Sequence, residues 1–217
     1  MLRTFSLFTL FSTFLAIIGI TTSQAQSSIL QSYKWEISYD ALPLINKETT
    51  AQNLTLRRFI TNSKGTTALR LQLRGGSKSS EFTVASDYVY GQINLGYEWY
   101  KPVDKFLFYY GPEVSYFYQY TDTGSYKVNQ MFQQYSHDRV LGFSGLFGCK
   151  YLVGKHLTIG AESKLSYSFF RSRSERTDYT FFPSTSQTVA TGGFSADNSW
   201  QVGDIVGLAS VNIGFIF

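Results

Sequence analysis

The chain has 217 residues, a formal net charge of +4 and a mean hydropathy of −0.11, a length that suits one domain. Aromatic residues make up 18% of it and charged residues only 16%, and the single cysteine, Cys149, excludes an internal disulfide scaffold. Lys and Arg are scattered instead of gathered into one stripe, which argues against a nucleic-acid partner despite the basic balance.

The amino end carries Arg3, an apolar run over residues 5–20, and the small residues Ser23 and Ala25 before Gln26. That order reads as a secretory signal peptide over residues 1–25, leaving 26–217 as the mature domain. Beyond it no stretch of about 18 consecutive apolar residues appears, so helices are not expected to span a membrane.

The mature chain has a period of two, the mark of strands. Over residues 33–44, Trp35, Ile37 and Tyr39 alternate with Lys34, Glu36, Ser38 and Asp40. Residues 54–60 form a second, blurred candidate, where Arg57-Arg58 suggests a bulge or register change. Residues 67–75 alternate Leu69, Leu71 and Leu73 with Arg70, Gln72 and Arg74, and residues 87–100 set Ile93, Leu95, Tyr97 and Trp99 against Gln92, Asn94, Gly96 and Glu98. Residues 106–120 turn Phe108, Tyr110, Val114, Tyr116 and Tyr118 to one side and Gly111, Glu113, Ser115 and Gln119 to the other, with Pro112 expected to interrupt a ladder bond. Residues 140–152 oppose Leu141, Phe143, Phe147, Cys149 and Tyr151 to Gly142, Ser144, Gly148 and Lys150, and residues 156–170 oppose Leu157, Ile159, Leu165, Tyr167 and Phe169 to Thr158, Glu162, Lys164 and Ser166. The eighth candidate, residues 204–217, alternates Val211, Ile213, Phe215 and Phe217 with Ser210, Asn212 and Gly214, Ile216 being the one apolar residue on the other face.

One face of every strand is aromatic and aliphatic, while the other mixes glycine with Glu, Lys, Arg, Gln and Asn. A soluble sandwich or lipocalin-like barrel would be polar outside and apolar inside; here the polarity is inverted, as lipid requires. Connection lengths sort by parity. Those at residues 62–65, 101–104 and 153–155 are short, and those at 45–53, 76–86, 121–139 and 171–203 are long, the asymmetry of short periplasmic turns and long outer loops. The expected fold is all-β, an eight-stranded antiparallel up-and-down transmembrane β-barrel in the bacterial outer membrane, reached through the periplasm.

Nearly the whole mature chain resembles small eight-stranded outer-membrane barrels of the OmpA/OmpX kind, and SQAQ, KWEI and LRLQLRGG are similar to strings in uncharacterised outer-membrane β-barrel proteins of the Bacteroidota. The terminal aromatic strand, with Val211, Ile213, Phe215 and Phe217, resembles the C-terminal signal that such barrels present to the barrel-assembly machinery. No catalytic or binding residue follows from either likeness.

An eight-stranded lumen is just wide enough for side chains. Glu36, Arg70, Arg74, Glu98, Glu113, Lys150, Glu162 and Lys164, with Asp40, are therefore expected to form an internal polar network, a plug of ion pairs instead of a proton path. Ser136, His137 and Asp138 are the one enzyme candidate, but three adjacent residues cannot converge as a triad. Two histidines and one cysteine give no metal spacing, and the glycine pairs lack a following helix, so neither metal nor cofactor is expected. The last connection opens with Arg171, Arg173 and Arg176 and continues with Tyr179, Phe181 and Phe182, a candidate surface for outer-membrane lipid, lipopolysaccharide or a protein partner. The leading expectation is a non-enzymatic barrel anchoring long extracellular loops for envelope integrity, adhesion or partner assembly. A lipid-modifying enzyme at the outer rim and a narrow channel are the alternatives.

Overall fold

The computed structural model describes residues 32–41, 52–63, 65–81, 84–127, 130–182 and 187–217. The expected signal peptide lies outside them. Eight antiparallel strands close into a barrel in chain order: β1 (Trp35–Asp40), β2 (Gln52–Asn62), β3 (Gly65–Glu81), β4 (Val84–Val103), β5 (Phe106–Lys127), β6 (Gln130–Val153), β7 (Leu157–Phe182) and β8 (Gln187–Ile216). Each strand pairs with its chain neighbours, and β1 pairs with β8 from Glu36 opposite Ile216 to Asp40 opposite Asn212.

The two-residue period holds where the sequence shows it. On β8, Ser210, Asn212, Gly214 and Ile216 are buried while Ile213, Phe215 and Phe217 are exposed. The short turns also fall as expected, at Asp104–Lys105 and 154–156, with Gly154 at φ 72° where a residue lacking Cβ escapes the left-handed penalty. Pro112 leaves Tyr97 and Glu98 without ladder partners on β5, between the pairs Gly96 with Glu113 and Trp99 with Tyr110. Its missing N–H accounts for the gap.

Two expectations need correction. β2 has no bulge: its register against β3 runs unbroken from Gln52 opposite Gly75 to Asn62 opposite Gly65. Thr55, Arg57 and Phe59 point inward, and Leu54, Arg58 and Ile60 point outward, so the adjacent arginines simply occupy opposite faces. The guanidinium of Arg58 lies 5.6 Å from the Trp35 ring, and this contact explains how a cation fits at that edge of the apolar face.

The second correction concerns the long outer connections. Most of residues 76–86, 121–139 and 171–203 is strand, because β3 to β8 continue upward as paired ribbons. Strands of roughly 9–11 residues suffice to cross a bilayer, so the excess length of β5 to β8 stands beyond it. On β7 the outward positions Leu157, Ile159, Leu165, Tyr167 and Phe169 are apolar, and on β6 so are Val153, Tyr151, Phe143 and Leu141. At about 3.3 Å per residue and a tilt near 45°, the run from Leu157 to Phe169 rises roughly 30 Å, the depth of a hydrocarbon core. Above it the outward residues become Arg171, Arg173 and Glu175 on β7 and Arg139 and His137 on β6. Aromatic girdles mark both edges, Trp99 stacked on Tyr110 and Phe106 tilted against Tyr151 below, Tyr116, Tyr118 and Tyr167 above.

Candidate functional site

The lumen is filled in layers. Nearest the short turns, Phe59, Ala68, Tyr100, Leu107, Tyr109, Leu152 and Ile216 form a buried apolar floor with Tyr33 packed against it, and Leu146 joins the same cluster from further up β6, beyond Lys150. These residues sit at inward positions of their strands, so apolar side chains on the polar face have a purpose that alternation alone conceals. Ile216 is one of them, fully buried and not an irregularity.

Above the floor lies the ion network. Arg57, to which the alternation assigns no role, occupies its centre: Nε donates to Glu98 at 2.9 and 3.1 Å, and Nη1 donates to Ser38 Oγ at 2.9 Å and Glu36 Oε1 at 3.2 Å. Arg70 clamps Glu162 through Nη1 at 2.7 Å and Nη2 at 3.0 Å, and Lys150 Nζ reaches both oxygens of Glu36 at 2.8 and 2.7 Å. Lys164 Nζ donates to Glu113 at 2.7 Å. Tyr100 donates to Glu98 at 2.6 Å and Tyr109 to Glu162 at 3.0 Å, tying the floor to the ions above it. The cations Arg57, Arg70, Lys150 and Lys164 balance the carboxylates Glu36, Glu98, Glu113 and Glu162. Burial of a charge is costly unless it is paired and its remaining bonding positions are filled; here each charge is paired, while Arg57 Nη2, Arg70 Nε and Glu113 Oε2 have no hydrogen-bond partner among the described residues.

Seven of the eight expected network residues therefore meet: Glu36, Arg70, Glu98, Glu113, Lys150, Glu162 and Lys164. Arg74 stands further out on β3 and joins none of these ion pairs, and its Nε has no hydrogen-bond partner among the described residues. Room for the network depends on glycine at one place in particular. Tyr109 lies across Gly148 on the neighbouring strand, and a Cβ there would overlap the Tyr109 ring.

The outer-rim enzyme candidate does not assemble. His137 points outward, where its Nδ1 is 2.9 Å from the Tyr118 hydroxyl and its ring is 5.1 Å from that of Tyr120. Ser136 and Asp138, one residue to either side, point inward, and Asp138 accepts from Ser172 Oγ at 2.5 Å. The wall separates the members of the supposed cluster.

The expected binding segment is likewise split by parity. Arg171 and Arg173 face outward, whereas Arg176 faces the other way, with Nη2 2.7 Å from Asp178 and its guanidinium 4.2 Å from the Phe132 ring. Tyr179 follows a register shift on β7, and the side chains of Phe181 and Phe182 lie outside the described residues. Arg171 donates to Asp197 at 3.2 and 2.7 Å, and that hydrogen bond holds the carboxyl below its ordinary value. Among the described residues no group of His, Cys, Asp and Glu is arranged to hold a metal ion.

No family model matches the chain, and no curated protein matches it. Among solved structures, the chain is similar to a major outer membrane protein from Thermus thermophilus, with a TM-score of 0.51 and 10% identity over 86% of this chain and 100% of that one. Acinetobacter baumannii CarO also matches, at a TM-score of 0.38 and 12% identity over 85% of this chain and 97% of that one. The likeness to the Thermus protein is one of fold. That fold, an apolar band facing outward and a polar lumen are together those of a bacterial outer-membrane β-barrel.

Proposed function

We propose that this outer-membrane barrel is a non-enzymatic, non-conducting anchor, which holds tall outward β-ribbons above the membrane for envelope integrity, adhesion or assembly with a protein partner. The observation that carries the reading is the sealed lumen. A charge-balanced network spans it, and the apolar floor of Phe59, Leu107, Leu152 and Ile216 closes it on the side of the short turns, the periplasmic side in this reading. An ion passing through would have to break paired charges and then cross a dehydrated layer, which opposes the channel alternative. The separation of His137 from Ser136 and Asp138 by the barrel wall opposes the enzyme alternative. Delivery by the barrel-assembly machinery belongs to the same proposal.

Reconstitution of the purified barrel in a planar bilayer tests it. The expected result is a flat baseline at all applied voltages, and reproducible unitary steps from the folded protein would overturn the anchor reading. A His137→Ala strain should keep the lipid profile of the wild type. Shortening the β7–β8 ribbon should abolish surface or partner binding with the barrel still folded.

A further inference from the structure

Two arginines oppose each other at the outer edge of the lipid-facing band. Arg139 on β6 is directly across the ladder from Arg171 on β7, and one outward position further His137 is across from Arg173. Like charges in opposed positions on a sheet repel, and the arrangement is relieved when an anion lies between them. Arg171 is paired with Asp197 at 2.7 Å and Arg173 with Glu175 at 2.8 Å, but the four side chains are 48–68% exposed, so these pairs contribute little and exchange easily. Arg139 is exposed and has no ionic partner among the described residues. Together His137, Arg139, Arg171, Arg173, Glu175 and Asp197 line a shallow concavity of about 400 Å³.

The neighbours of this concavity fix its depth. Immediately below are the outward pairs Leu141 with Phe169 and Phe143 with Tyr167, the last apolar rungs of the band. Level with Arg139 is Tyr118, whose hydroxyl meets His137, and beyond it Tyr120 stacks on Tyr135. Aromatic residues of this kind settle at the headgroup level of a bilayer. The arginines therefore face the layer in which the phosphates of outer-leaflet lipid lie.

We infer that Arg139, Arg171 and Arg173 form a clamp on the outward face of β6 and β7 for the phosphates of lipopolysaccharide. The planar guanidinium fork matches two phosphate oxygens at once, a geometry that an ammonium lacks. A bound phosphate sits between Arg139 and Arg171 and removes their mutual repulsion, and the tyrosines flank the sugar to which it is attached. The clamp rests on the membrane placement of the band and is independent of whether the lumen conducts.

The test uses the full barrel, folded in a zwitterionic detergent and mixed with lipopolysaccharide, with the same material stripped of its lipid A phosphates, or with inorganic phosphate. Lipid retained after size-exclusion chromatography is measured. The wild type should retain intact lipopolysaccharide, and an Arg139→Gln/Arg173→Gln double variant should bind it about tenfold more weakly. Removal of the phosphates should cost the wild type a similar factor. Arg58→Gln should change nothing, since Arg58 is an outward arginine at the opposite membrane face over Trp35. Heat-modifiable gel mobility reports folding of each variant. Should the double variant not fold, Arg139→Gln alone carries the test, because Arg139 gives up no ion pair. Equal retention of the phosphate-free form, equal retention by the arginine variants, or the same loss in Arg58→Gln would overturn the clamp. Protection by inorganic phosphate with no lipid retained would overturn the lipid assignment.

Discussion

Arg57 Nε sits 2.9 Å from Glu98 Oε2 although the two residues are 41 positions apart and on strands that are not neighbours. The contact crosses the lumen, from β2 to β4 over the inward face of β3, and neither side chain is exposed to solvent. Removing one partner of such a pair leaves the other charged and dry. We expect Arg57→Met to lose about 3–5 kcal/mol of folding stability, and Arg57→Lys to lose less because the charge survives while the fork does not. Urea titration followed by heat-modifiable mobility measures both. Equal stability of Arg57→Met and wild type would mean that the network is not what holds the lumen.

Gly148→Val should destabilise through Tyr109. The added Cβ occupies the space of the phenol ring, which must then release Glu162, whose bond from Tyr109 is 3.0 Å long. A cost of about 1–3 kcal/mol is expected for forced overpacking. Combining it with Tyr109→Ala should recover part of the loss, and the absence of any recovery would place the strain elsewhere.

Phe215 and Ile216 are adjacent in sequence and face different media. Phe215 is 52% exposed on the lipid side near the edge that carries the short turns, while Ile216 is fully buried in the floor. Phe215→Asp should therefore have a small effect, since the cost of an acidic residue falls towards zero near the interface. Ile216→Asp places an unpaired charge in an apolar layer and should prevent folding or reduce surface abundance several-fold. The order of severity, read by outer-membrane fractionation, is the prediction.

Topology can be read with thiol reagents in a Cys149→Ala background. Glu175→Cys, on the exposed upper part of β7, should react with a membrane-impermeant maleimide on intact cells. Lys105→Cys, in the turn between β4 and β5, should react only after the envelope is opened. The wild-type Cys149 lies on the outward face beside Tyr151 and should stay unreactive in both cases. Labelling of Lys105→Cys on intact cells would reverse the orientation.

Strand existence and parity are legible because lipid on one side and a polar lumen on the other print opposite chemistry on successive residues, as in Leu69-Arg70-Leu71-Gln72. The same logic explains what stays hidden. Above the membrane both faces meet water, so Ser172, Arg173, Ser174 and Glu175 carry no contrast and the ribbon reads as loop. Arg57-Arg58 looks like a fault because two cations in a row suit neither face alone; pairing with Glu98 on one side and with Trp35 on the other resolves them. Apolar inward residues such as Leu107 and Ile216 pass as noise, since their value appears only when strands distant in sequence bring them into one cluster.

Among the described residues the ladder between β1 and β8 runs from Glu36 to Asp40, with backbone hydrogen bonds continuing it to Phe217 at one end and from Ala41 to Val211 at the other, still far shorter than the neighbouring ladder between β7 and β8. The ladder from β1 to β2 is equally short among the described residues, so β1 has few backbone bonds on either side to resist load or thermal motion. Glu36, however, belongs to that seam and is held from inside by Arg57 on β2 and by Lys150 on β6. The internal ions thus act as a latch on the closed circle, tying the strand at its seam to groups on two other strands.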